Sequence, residues 1–110
     1  DYIAGSTGNA ALMAFTKTLG GESVDYGIRV VGVNPGQIDT DRLRSRYEGR
    51  AKAELGDAAR WRELIKNAPF GRLATADEVA DAVVWLASSR ASYISGTVLT
   101  VDGGRAVRNT

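Results

Sequence analysis

Residues 28–40 read IRVVGVNPGQIDT. Ile28, Val30, Val31 and Val33 make a nearly unbroken β-branched run from Ile28 to Asn34, the pattern of a strand covered on both faces rather than one facing water. Pro35-Gly36 ends it abruptly, because proline has no amide to give a ladder and glycine admits backbone angles closed to other residues. A strand covered twice needs helices on either side of its sheet, so the flanking segments decide the architecture.

Upstream, Leu12, Phe15 and Leu19 recur at spacings of three and four between Asn9 and Asp25, with Ala10, Ala11 and Ala14 adding helix propensity. Gly20 and Gly21 are expected to weaken the far end of this helix, and Asp25-Tyr26-Gly27 to close it with a glycine suited to a left-handed turn. Downstream, Thr40 to Asn67 is rich in charge around Leu43, Tyr47, Leu55, Trp61, Leu64 and Ile65, which predicts short, mobile, largely exposed helices broken at Gly49 and Gly56. Thr75 followed by Glu78 forms a capping box, and Val79, Ala82, Val83 and Leu86 behind it make a stripe expected to be core through Ala87. Thr97 to Val101 reads as a second strand between Ser95-Gly96 and Asp102-Gly103-Gly104. Alternating helix and strand without internal repeats predicts an α/β fold with a parallel sheet and crossover helices.

Composition narrows the chemistry. The 110 residues carry a net charge of +1, which gives no reason to expect a polyanion partner, and they include neither cysteine nor histidine. Disulfides and thiolate sites are thereby excluded, and the commonest metal ligand and general base is missing, so no metal site is expected. No apolar run approaches the roughly 20 residues of a bilayer span, and Asp1 to Gly8 lacks the basic and apolar regions of a signal peptide; a cytoplasmic location and no membrane partner are expected. Two strands do not make a stable doubly covered sheet, so the stretch is expected to be part of a longer polypeptide.

Four phrases, in order and suitably spaced, carry a family resemblance: Val33-Asn34-Pro35-Gly36-Gln37-Ile38-Asp39-Thr40; Gly71-Arg72-Leu73 leading to Glu78-Val79-Ala80; Ala91-Ser92-Tyr93-Ile94-Ser95-Gly96; and Val101-Asp102-Gly103-Gly104. Together they resemble the second half of short-chain dehydrogenases/reductases, over Ala10 to Gly104. The resemblance implies the C-terminal part of a single Rossmann-like domain of about 250 residues, a doubly wound parallel sheet within three αβα layers, with residues 41–70 as the substrate lid. It implies NAD or NADP as cofactor and interconversion of a carbonyl and an alcohol. Pro35 and Gly36 would turn the chain against the nicotinamide, the Ile38 backbone would meet the carboxamide, and the Thr40 hydroxyl would contact the carboxamide or adjacent phosphate. The family's catalytic serine, its glycine-rich phosphate loop and the residue that selects NAD or NADP lie upstream of the matching region.

The departure is at the start. Family members carry Tyr-x-x-x-Lys just before an Ala-Ala-Leu like Ala10-Ala11-Leu12; tyrosine moves the substrate's proton while lysine lowers the tyrosine's pKa and holds the ribose. Ungapped alignment puts Gly5 at the tyrosine position and Asn9 at the lysine position. Tyr2 is seven residues before Asn9, which on a helix returns to within about 20° of the same face. Tyr2 is therefore the candidate proton donor, and Asn9 the candidate ribose ligand, though without the charge. Alternatively, Gly5-Ser6-Thr7-Gly8 is a loop or extra turn that leaves Tyr2 near the pocket in another geometry or at a domain edge, with Ser6 or Thr7 as hydrogen-bond donors.

Two further readings concern surfaces. Between Asp41 and Lys66 eight basic residues face five acidic ones; attraction of an anionic substrate is one reading, a salt-bridged solvated face the more economical one. Leu43, Tyr47 and Trp61 are the better pocket candidates in a lid. In the family the helix resembling Ala10 to Glu22 and the last helix and strand bury subunit surfaces, so a homotetramer or homodimer acting on a small-molecule substrate is implied. A cofactor-binding or scaffolding subunit with little catalysis is the alternative suggested by Gly5 and Asn9, whereas nucleic-acid binding is disfavoured by the interspersed acids.

Overall fold

A computed structural model describes residues 2–108. They form two compact units, residues 2–34 with 82–100, and residues 35–81 with 101–108.

In the first unit, helix α1 spans Ile3–Glu22 and a short 3-10 turn follows over Ser23–Tyr26. Gly27, at φ 72°, closes that turn as its left-handed cap. The helix begins earlier than its apolar periodicity suggests: Gly5-Ser6-Thr7-Gly8 is helical, and the Ser6 amide already donates to the Tyr2 carbonyl at 2.9 Å. Gly20 does not weaken the helix end but is buried within it. A Cβ there would come within 2.7 Å of the Val30 carbonyl oxygen and would run into the Gly96 backbone. Ser95 locks the same junction, its Oγ donating to the Gly20 carbonyl at 2.7 Å and accepting from the Val30 amide at 3.1 Å.

Strand β1 covers Val31–Pro35 and pairs with β2, Thr97–Val101. Hydrogen bonds from Gly96 to Val30 and from Gly36 to Val101 advance together along both segments, which makes the pair parallel. Ile28 to Val30 lies outside the ladder, since Ile28 bonds back to Ser23 and the Val30 amide goes to Ser95. The expected double cover is only partial: Val31, Gly32 and Val33 are half-buried.

Helix α3 covers Ala76–Ala87. Its last turn contains no basic residue, and Arg29 supplies the cation from elsewhere in the chain, donating to the carbonyls of Leu86 at 2.9 Å and Ser88 at 3.2 Å, and to that of Ile94 at 3.3 Å. The guanidinium thus satisfies carbonyls that a helix end leaves open and sits at the negative pole of its dipole. Of the expected core stripe, Leu86 is buried and Val79 and Ala82 are half-buried, but Val83 is 46% exposed. Leu12, Phe15, Val84 and Trp85 are exposed as well.

The second unit corrects the expectation of short, largely exposed lid helices. Helix α2 runs unbroken through Gly49 from Asp41 to Leu55 and stops at Gly56, which adopts φ 78°. A 3-10 segment, Ala58–Ile65, folds back on it. Tyr47, Ala51, Trp61, Ile65 and Leu73 make one buried cluster, with Leu43, Leu55, Leu64 and Ala68 packed around it. The Tyr47 and Trp61 rings sit 6.5 Å apart, tilted by 32°, a separation at which aromatic pairs attract. The charges outside this core pair locally, Arg50 with Glu54 at 3.1 Å and Arg60 with Glu63 at 2.7 Å, as a solvated face does.

The capping box forms as its spacing predicts. The Thr75 amide donates to Glu78 Oε2 at 2.8 Å and the Glu78 amide to Thr75 Oγ1 at 3.2 Å. Arg72 forks onto the same carboxylate at 2.6 and 2.9 Å, and with the Thr75 amide it holds Glu78 down to a pKa of about 2. A depressed carboxylate pKa adds stability that is complete above the ordinary glutamate range and is lost as pH falls through the folded value. The melting-temperature difference between the wild type and Glu78→Gln is therefore expected to be constant above about pH 5 and to shrink toward about pH 2. A difference independent of pH across that window would contradict this role.

Candidate functional site

Two groups of residues carry the chemistry suggested by sequence, one in each unit. The first is the loop after β1. Pro35 is the last strand residue, and the Gly36 amide still donates to the Val101 carbonyl at 2.9 Å. A Cβ on Gly36 would lie 2.7 Å from Asp102 Cβ and 2.8 Å from its Cα, so glycine is required by the close approach of the segment after β2. Asp102 fixes that segment, accepting from the Gly104 and Ala106 amides at 2.8 Å each.

Beyond Gly36 the chain is held by one parallel bridge between Ile38 and Ala74, made through Ala74 to Gln37 at 3.0 Å and Asp39 to Ala74 at 2.8 Å. In such a bridge the neighbours of Ile38 use their backbone groups while its own amide faces away. Among the described residues the Ile38 N–H has no acceptor; its carbonyl accepts from Thr40 at 2.9 Å. Thr40 is the N-cap of α2, its Oγ1 accepting from the Leu43 amide at 3.3 Å. That bond uses an oxygen lone pair and leaves the hydroxyl proton to donate. Asp39 beside it is held by both oxygens to Arg44 at 3.0 Å. The loop thus presents two directed donors, the Ile38 amide and the Thr40 hydroxyl, next to the positive end of a 15-residue helix.

The second group is at the start of α1. Tyr2 caps the helix with a non-helical backbone, φ −112° and ψ 37°, and its ring folds across Gly5. The far end of the ring, at Cζ, occupies the place that a Cβ on residue 5 would take. Gly5 and Asn9 are four apart and share a helix face, so the phenol lies on the face that Asn9 also occupies. Its hydroxyl lies close to the helix backbone, short of the reach of a tyrosine rooted at position 5. Nothing lies within 4 Å of a Cβ on Gly8, and Tyr2, Ser6, Thr7 and Asn9 are all exposed.

The lid candidates are placed differently from a pocket wall. Tyr47 and Trp61 are 8% and 6% exposed inside the hydrophobic cluster of the second unit, with Leu43 packed against it. Tyr47 also borders a cavity of the second unit. Gln37 and Arg105, not singled out by sequence, hydrogen bond at 2.9 Å and border two cavities of the second unit.

Residues 3–106 match the family model of enoyl-(acyl carrier protein) reductase. The chain belongs to the short-chain dehydrogenase/reductase family. Among curated relatives, dehydrogenase/reductase SDR family member 6 of Aquarana catesbeiana is 36% identical over 99 residues, 90% of this chain and 39% of that protein. Among solved structures, L-sorbose reductase from Gluconobacter frateurii, complexed with NADPH and L-sorbose, aligns with a TM-score of 0.78 at 36% identity, over 91% of this chain and 39% of that one. A short-chain oxidoreductase from Pseudomonas aeruginosa PAO1, described as containing an atypical catalytic center, aligns with a TM-score of 0.74 at 32% identity, again over 91% and 39%.

This short-chain dehydrogenase/reductase chain therefore has the Rossmann-type α/β fold expected of it. It spans about two-fifths of the length of the relatives it matches. The loop after β1 carries Asn34-Pro35-Gly36, and Gly5 and Asn9 stand where an ungapped alignment with the family pattern puts its tyrosine and lysine. Among the described residues no helix is long and apolar enough to cross a membrane.

Proposed function

We propose that this chain is the C-terminal part of an NAD- or NADP-dependent oxidoreductase that interconverts a carbonyl and an alcohol on a substrate of small to medium size. The observation that carries this reading is the pair of uncommitted donors after β1, the Ile38 amide and the Thr40 hydroxyl. They fit a nicotinamide carboxamide, whose oxygen accepts hydrogen bonds, and Thr40 at the start of α2 also suits a phosphate. Gly36 keeps the loop tight against Asp102 and so fixes where both donors point.

A bound nicotinamide supplies or accepts the hydride. Ile38 and Thr40 would hold its carboxamide, and Pro35 and Gly36 would bring backbone rather than side chain up to the ring. Tyr2 gives the proton to the substrate oxygen in reduction and takes it back in oxidation. Gly5 leaves room for the Tyr2 ring to lie close against α1, where a substrate oxygen could approach the phenol. Asn9 hydrogen bonds the ribose hydroxyls, without the charge a lysine would bring.

The exposed apolar residues Leu12 and Phe15 of α1 and Val84 and Trp85 of α3 suit contact between copies in a homodimer or homotetramer. A cytoplasmic enzyme acting on a small molecule belongs to the same reading. The loss of a charged residue at Asn9 favours one second reading, a cofactor-binding or scaffolding subunit with weak or no catalysis.

The cofactor site is tested by titrating the full-length protein separately with NADH and NADPH and following cofactor fluorescence. Saturable binding of at least one is expected, weakened about tenfold in Thr40→Val through loss of one hydroxyl donor. Absence of binding by either cofactor would rule out both readings.

A further inference from the structure

The cations of the second unit differ in their partners, and Arg42, Arg46, Lys52, Arg62 and Lys66 have no carboxylate partner among the described residues. Arg44, Arg50, Arg60 and Arg72 each have a carboxylate partner at 3.1 Å or closer. Arg105 and Arg108 have none among the described residues. Their guanidinium groups donate to neutral oxygens, Arg105 to Gln37 Oε1 at 2.9 Å and Arg108 to the Asn67 carbonyl at 3.3 Å. Both border one cavity of about 380 Å³, and Arg50 borders it too, its guanidinium 5.9 Å from the Tyr47 ring centre. Among the described residues no aspartate or glutamate lines this cavity; Glu54, the partner of Arg50, is outside it.

We propose that this cavity binds an anionic group, a phosphate or a carboxylate carried by a small molecule. A guanidinium has five N–H donors in a planar fork, and one neutral acceptor uses only part of that set. Arg105 and Arg108, neither paired with a carboxylate, border one space with the Glu54-paired Arg50, and an anion seated among them would form charge-assisted hydrogen bonds. Gln37 adds to the site. Its Oε1 is taken by Arg105, which leaves the amide nitrogen of the same side chain to donate. The neighbouring cavity, which Glu78 and Asp102 border, lacks this uniform sign. The anion site is separate from the oxidoreductase reading, for a protein that bound phosphate and no nicotinamide would retain it.

The test uses the full-length protein at constant ionic strength, with inorganic phosphate and acetate titrated separately while heat release and melting temperature are followed. Saturable binding of at least one anion is expected, about tenfold weaker in Arg105→Ala and in Arg108→Ala and unchanged in Arg60→Ala, whose partner Glu63 lies outside the cavity. Phosphate alone binding identifies a phosphate-bearing ligand, and comparable binding of both identifies a carboxylate-tolerant site. Arg108→Ala removes only a bond to one backbone carbonyl, so it keeps the test sound if Arg105→Ala disturbs Gln37. No saturable binding of either anion, or equal binding by the wild type and both arginine variants, would overturn the proposal.

Discussion

Replacing Tyr2 with phenylalanine is expected to slow carbonyl reduction by about 10²–10⁴-fold, the usual contribution of a positioned general acid, while cofactor affinity stays unchanged. The substitution is clean because phenylalanine keeps the ring that lies across Gly5 and removes only the O–H. Gly5 supports the same role indirectly. Its missing Cβ is the space the ring occupies, so Gly5→Ala must displace the phenol even though alanine favours the helix by about 1 kcal/mol. Gly8→Ala, with nothing within 4 Å, takes that helix gain without displacing anything. The expected pattern is low activity for Tyr2→Phe and Gly5→Ala and wild-type activity for Gly8→Ala. A Tyr2→Phe enzyme with an unaltered rate would remove Tyr2 from the mechanism and shift attention to Ser6 or Thr7.

The largest effect on stability is expected at Gly20. Alanine there gains helix propensity of about 1 kcal/mol, but its methyl group must enter the space held by the Gly96 backbone and the Val30 carbonyl. Overpacking usually costs about 1–3 kcal/mol even where flexible side chains can give way, and here the obstacles are backbone on two segments. Steric exclusion wins, and a net loss of about 3 kcal/mol is expected from the denaturant midpoint of the full-length protein. Separating the helix from the strands would also break the Ser95 bonds to Gly20 and Val30. Gly21→Ala is the internal comparison, since no atom lies within 4 Å of its Cβ position. A Gly20→Ala protein as stable as Gly21→Ala would contradict the packing described for this junction.

What sequence revealed and what it concealed divides along physical lines. The box of Thr75 and Glu78 was legible because both partners lie within one helical turn, and the end of β1 because Pro35 and Gly36 act on their own backbone. The start of α1 was left open because Gly5 and Gly8 lower local propensity, yet the helix continues through them from Ile3. Gly20 looked like a weak helix end because its reason for being glycine is Gly96, far along the chain. Arg29 gave no signal for the same reason, since its carbonyl partners are 57 to 65 residues away. The charge density of residues 41–66 suggested exposure, but Tyr47, Ala51, Trp61 and Ile65, brought together by α2 and the segment folded back on it, are enough to make a core. Val83 shows the opposite error, for periodicity locates an apolar face without saying what covers it.

For the candidate site, the motif from Asn34 to Thr40 gave the loop, and the Ile38–Ala74 bridge explained which of its backbone groups remain to bind a ligand. Spacing alone put Tyr2 on the face of Asn9; that its ring folds over Gly5, in the space a Cβ would take, lay beyond what spacing could give.

The central claim is hydride transfer between a nicotinamide and a carbonyl, and the most direct measurement is a single-turnover reaction of full-length protein with NADH or NADPH against a series of ketones. The account predicts that, in at least one pairing, cofactor fluorescence is lost in step with the appearance of one equivalent of alcohol. A cofactor that binds tightly yet stays reduced in the presence of every ketone would contradict it.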